Sequence, residues 1–131
     1  MNSKINKILN TLIENAKKDS TILALLLFGS TVRKDHHRNS DTDICLVLMP
    51  RSYTPRELSQ KKITYLKSFD LDIQILQQLP IYIRKRVIQE GKVLYCRDEN
   101  MLYEMVFTVI REYADFEHIY REYLQEVAHA R

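Results

Sequence analysis

The sequence predicts an α/β domain of the α+β kind: a small mixed sheet flanked by helices, followed by a long C-terminal helix. Three observations predict it. Two continuous apolar runs, Ile22–Phe28 and Ile44–Met49, read as strands buried on both faces. Apolar stripes at helical spacing precede and follow them. The element order, α-β-β-α-β-α-α, indicates helices packed on a sheet. The 131 residues suffice for one domain, 1–131, with a core of its own. A composition of 45% hydrophobic and 28% charged residues argues against disorder. Both apolar runs are too short to span a bilayer, so no membrane partner is expected. The formal charge of +3 is mild and reads as a solvated surface.

Each element has a local reason. Asn2 or Ser3 can cap a first helix, whose apolar face is Ile5, Ile8, Leu9, Leu12, Ile13 and Ala16. The strand Ile22–Phe28 follows, then a polar loop, then the strand Asp43–Met49. Pro50 and Pro55 bracket a turn before a helix over Arg56–Lys67. Leu71–Leu76 alternates apolar and polar residues and reads as a third strand. Pro80 opens a helix over Ile81–Gln89, and Gly91 stops it. Val93–Tyr95 can add a short strand. Asp98 caps a last helix from Glu99 to the C-terminus. That helix carries Leu102, Val106, Val109, Ile110, Tyr113, Phe116, Tyr120, Leu124 and Val127 on roughly one face and would run about 45 Å. Its stripe either meets another chain, a second copy included, or folds back as core. Cys45 and Cys96 form no disulfide framework and no metal-ligand spacing, which fits a reducing cytoplasmic setting.

The chemistry gathers between Leu27 and Leu48. An apolar run ends in Gly29-Ser30; ten residues later come Asp41-Thr42-Asp43 and a second apolar run. On an extended chain Asp41 and Asp43 point to the same side. Converging carboxylates repel unless a cation sits between them, and hard oxygen ligands suit Mg²⁺, which also takes substrate phosphates. Gly29 permits a sharp turn and a close phosphate approach. Ser30 adds a hydroxyl and a backbone N–H. Arg33, just downstream, is placed for triphosphate oxygens. On the third strand Asp70 and Asp72 share a face. Asp72, between Leu71 and Ile73, is read as the deeper one, able to hold a metal and accept a proton. Asp70 is read as a solvated strand end, with a swap of roles left open. His36 and His37 read as loop surface, since no third ligand is spaced for zinc.

The pattern Gly29-Ser30, ten residues, Asp41-x-Asp43, then Asp72 resembles the nucleotidyltransferase superfamily typified by DNA polymerase beta. The short length resembles its minimal nucleotidyltransferase (MNT) branch. The resemblance covers about Ile5 to Tyr95, the implied catalytic core. It leaves about 99–131 as a helix for a partner or a second copy. It implies transfer of a nucleoside monophosphate from a triphosphate, with ATP as substrate, Mg²⁺ (two ions) as cofactor, and loss of pyrophosphate. By resemblance Gly29 and Ser30 hold the triphosphate, Asp41 and Asp43 bind the metals, and Asp72 completes the site. Arg33 is followed by Lys34 where many members have Arg-Gly, a local departure in the loop.

Minimal members are often antitoxins paired with an all-helical HEPN toxin, a ribonuclease. The resemblance therefore implies an adenylyltransferase that places AMP on a tyrosine of such a partner. Direct nucleic-acid binding is not expected. Two alternatives remain: a non-catalytic subunit that occludes a HEPN partner, and nucleotidyl transfer to a small molecule. Arg111, His118 and Tyr120 loosely mimic a HEPN ribonuclease signature, but the chain lacks the length for that domain as well.

Overall fold

The computed structural model describes residues 3–29 and 42–130. Four helices and four strands follow one another: α1 (Ser3–Lys18), β1 (Ile22–Phe28), β2 (Asp43–Leu48), α2 (Pro55–Ser68), β3 (Asp72–Ile75), α3 (Ile81–Glu90), β4 (Lys92–Cys96) and α4 (Glu99–His129). The strands form one sheet in the order β3-β2-β1-β4. β1 pairs antiparallel with both β2 and β4, and β2 pairs parallel with β3. The sheet is therefore mixed, as the sequence predicts.

Both central strands are buried on both faces, so their side chains feed two cores by alternation. Ile22, Leu25, Leu27, Ile44, Leu46, Leu48, Ile73 and Ile75 meet Ile5, Leu9, Leu12 and Ala16 of α1 and Tyr65 of α2. Leu23, Ala24, Leu26, Cys45 and Val47 meet Val87 of α3, with Met101, Leu102 and Met105 of α4 beside them. The result is a helix–sheet–helix sandwich of three layers.

Local chemistry sets the helix ends. Thr54 caps α2 through a capping box: its Oγ1 accepts from the Glu57 N–H at 3.1 Å, and Glu57 Oε1 accepts from the Thr54 N–H at 3.0 Å. Asp98 accepts from the Met101 N–H at 3.1 Å and opens α4. The C-terminus of α1 is closed from far away in sequence. The Arg97 guanidinium donates to the carbonyls of Ala16, Lys17, Asp19 and Ile22 at 2.9–3.2 Å. Two of these carbonyls, Ala16 and Lys17, lie in the last turn of α1, and one planar cation joins them to Asp19 and to the start of β1.

Two expectations change and one open alternative narrows. The third strand is shorter than expected, because Leu76–Gln78 turns into a 3₁₀ helix. There the Gln77 side chain takes over the ladder, accepting from the Leu48 N–H at 3.3 Å and donating to its carbonyl at 2.9 Å. Ser3 lies within α1 rather than before it, and Asn2 falls outside the described residues. The apolar stripe of α4 does not fold back as core along its length. α3 covers it as far as Phe116, through the Tyr82–Phe116 stack, the Lys85–Tyr113 cation–π contact and the Arg84–Glu112 ion pair. Beyond that, Ile119, Tyr120, Tyr123, Leu124 and Val127 are exposed. The helix outruns the sheet that its first half packs on.

Candidate active site

One end of the sheet collects the chemistry. β1 ends at Phe28, which pairs with Asp43, and Asp43 in turn is the register partner of Asp72 on β3. Partners in a parallel ladder face the same way, and adjacent strands lie about 4.8 Å apart. Two carboxylates therefore open neighbouring strands side by side. By alternation both belong to the sheet face of Cys45 and Val47, under α3 and α4.

Gly29 is built into this end. Its φ of 75° lies in the left-handed region, which L side chains rarely adopt. A Cβ there would overlap the Asp43 carboxylate and come within 2.9 Å of its Cγ. The glycine thus serves the turn and also leaves room for the Asp43 side chain. The two parts of the sequence pattern, the glycine and the downstream aspartate, meet in space.

Asp72 differs from expectation in one respect. It is exposed, and so is Asp70. The reason is topological: β3 is an edge strand and Asp72 is its first residue. Asp70 lies outside the strand, in the connection from α2. It lines a groove of about 520 Å³ with Lys7, Ile8 and Thr11 of α1, away from Asp72. Only Asp72 is brought beside Asp43. Ser30, Arg33, Asp41, His36 and His37 lie outside the described residues.

The sequence pattern missed a polar chain behind Asp72. Gln74 Nε2 donates to Asp72 Oδ1 at 3.4 Å, and Lys62 Nζ of α2 donates to Gln74 Oε1 at 3.0 Å. The i, i+2 spacing of Asp72 and Gln74 on a strand is the signal that could have found it.

The donor set fits a divalent cation. Asp43 and Asp72 are hard oxygen donors on rigid neighbouring strands, beside a glycine cradle that a phosphate can approach. Among the described residues no third acidic, His or Cys side chain joins them. A second cleft of about 520 Å³, lined by Asp19, Thr21, Leu48, Tyr53, Lys61 and Tyr65, sits at the opposite end of the sheet, remote from the carboxylate pair.

A carboxylate pair opening two strands, next to a left-handed glycine at the end of a third, is an arrangement with room for a divalent cation and a phosphate, as an enzyme acting on phosphate esters needs. The particular family follows from comparison. The family model for polymerase beta nucleotidyltransferases matches residues 10–100. A protein of Methanocaldococcus jannaschii named "Putative protein adenylyltransferase MJ1547" is 32% identical over 103 residues, covering 79% of each chain. The chain belongs to the polymerase beta-like nucleotidyltransferase family, and is a nucleotidyltransferase by that membership.

The fold agrees. A chain of a toxin–antitoxin crystal structure with AMP-PNP superposes with a TM-score of 0.65 at 20% identity, covering 91% of this chain and 97% of that one. A chain from the complex of tri-AMPylated Shewanella oneidensis HEPN toxin with MNT antitoxin gives 0.63 at 17% identity, covering 94% and 98%. No described helix is long and apolar enough to cross a membrane.

Proposed function

We propose that this protein transfers AMP from ATP to a tyrosine hydroxyl of a HEPN-type partner and thereby neutralises it. The observation that carries the reading is the in-register pairing of Asp43 with Asp72 beside Gly29. The adenylyltransferase name of the M. jannaschii relative and the likeness to a chain of a HEPN–MNT complex support the nucleotide and the partner.

In this reading Gly29 and Ser30 receive the triphosphate, with Arg33 on its oxygens. Asp41, Asp43 and Asp72 hold Mg²⁺, two ions by analogy with other two-metal sites. A cation held there would supply positive charge to offset the negative charge building on the phosphates. The acceptor oxygen attacks the α-phosphorus in line with the β-phosphate. An O–P bond forms, the bond to the β-phosphate breaks, and pyrophosphate leaves. The hydroxyl proton passes to the Asp72 carboxylate, which lies on the exposed edge where a protein acceptor can reach it.

The uncovered half of α4 is the docking surface in this reading. Tyr120, Leu124 and Val127 form an apolar strip that continues from Phe116. In sequence, Asp115, Glu117, Glu122 and Glu126 outnumber Arg121 and Arg131 along this stretch. That charge balance repels a second copy and favours a partner with an apolar, basic helical surface. The same strip favours the second reading, a subunit that silences its partner by occlusion alone.

Purified protein incubated with its co-encoded neighbour, Mg²⁺ and α-labelled ATP separates the two. Label on a neighbour tyrosine, with an AMP increment in intact mass, supports transfer. A stable complex that stays unlabelled supports occlusion.

A further inference from the structure

Resting on the assignment of Asp72 above, we propose that Gln74, oriented by Lys62, is a positioning residue for the Asp72 carboxylate. Asp72 is exposed at the first position of an edge strand, where little packing limits its rotation. Its one hydrogen bond to a described side chain comes from Gln74, two residues on and on the same face.

An amide side chain has a donor end and an acceptor end, and nothing in Gln74 alone decides which faces Asp72. Lys62 decides it. An ammonium only donates, so its 3.0 Å contact requires the Gln74 carbonyl oxygen on that side. The NH₂ end then turns to Asp72 Oδ1. One carboxylate oxygen is held and the other is left for the reaction.

The amide also acts as a spacer. A lysine paired directly with Asp72 would neutralise the carboxylate and compete with the metal. Through Gln74, the lysine restrains the carboxylate and keeps its own charge off it. The 3.4 Å separation is long, and such bonds commonly tighten once substrate is bound.

The test compares transfer of labelled AMP to the co-encoded neighbour by wild type, Gln74→Leu, Lys62→Met, Asp72→Asn and Gln74→Leu/Asp72→Asn. Gln74→Leu is expected to lower kcat about tenfold with KM for ATP within about twofold, the mark of an interaction made in the transition state. Lys62→Met is expected to lose less. The double variant should be no worse than Asp72→Asn, because the two residues act as one unit. A second readout needs no turnover. In the wild type the Gln74 side-chain amide protons should exchange more slowly than those of exposed Gln60, and the difference should vanish in Asp72→Ala.

An inactive Asp72→Asn beside a Gln74→Leu variant with wild-type kcat overturns this inference and leaves the parent reading standing. So does fast exchange of the Gln74 amide in the wild type. An active Asp72→Asn, or a wild type that transfers nothing, overturns the parent reading and the inference with it.

Discussion

The two ends of the sheet treat their aspartates in opposite ways. At the α1 end, Asp19 is satisfied by the protein. Its carboxylate accepts from the Thr21 N–H at 3.1 Å, Thr21 Oγ1 at 2.7 Å, Lys61 Nζ at 2.9 Å and Tyr65 OH at 2.8 Å. Burial pushes its pKa up, but the hydrogen bonds from Thr21, Lys61 and Tyr65 outweigh that and bring it to about 2. At the other end, Asp72 takes one long bond from Gln74. A carboxylate saturated by its own protein is a structural group. One held by a single donor keeps lone pairs for something else. This difference is the ground for placing the proposed reaction at the Asp72 end; the larger clefts, around Asp19 and beside Asp70, do not include the Asp43–Asp72 pair.

The largest test of this contrast is Gly29→Ala. The new Cβ must sit at positive φ and displace the Asp43 carboxylate. Transfer should fall by at least about a hundredfold, with a stability loss on the order of 1–3 kcal/mol. Activity assays beside a denaturant melt measure both. The opposite swap belongs at the structural end. Asp19→Ala should cost on the order of 2 kcal/mol in the same melt and leave kcat within about twofold.

Acid titration sharpens the contrast further. The folded pKa of Asp19 lies below its unfolded value of 3.8. Its contribution is therefore complete above that value and lost as pH falls from about 4 towards 2. Stability over that window should drop by on the order of 2 kcal/mol more in the wild type than in Asp19→Asn.

The smallest effect concerns Thr42, between the two acids of the motif. Its Oγ1 is buried with no hydrogen-bond partner among the described residues. Thr42→Val should therefore change stability by less than about 1 kcal/mol, or raise it, in a thermal melt.

Much of this was legible in the chain because the deciding signals are local. Ile22–Phe28 and Asp43–Leu48 are apolar runs, and both are central strands. Pro55, Asp98 and Gly91 punctuate helices where such residues do so by local geometry. The glycine–aspartate spacing anticipated a contact that the fold makes through the Phe28–Asp43 pair. What was missed depends on which strand neighbours which. Asp72 reads as the deeper acid from its flanking Leu71 and Ile73, yet it is exposed because the strand order makes β3 an edge. The Arg97 latch joins residues 75 to 81 apart, and periodicity carries no trace of it. The bare half of α4 looks in sequence like the packed half, because both carry the same stripe and only the reach of the sheet separates them.

The most direct test of the central claim is transfer of α-labelled AMP to the co-encoded neighbour by wild type and Asp43→Asn, with thermal melts alongside. The account predicts labelled neighbour with the wild type and a loss of at least about a thousandfold in Asp43→Asn at an unchanged melting temperature. Undiminished labelling by a folded Asp43→Asn protein would contradict it.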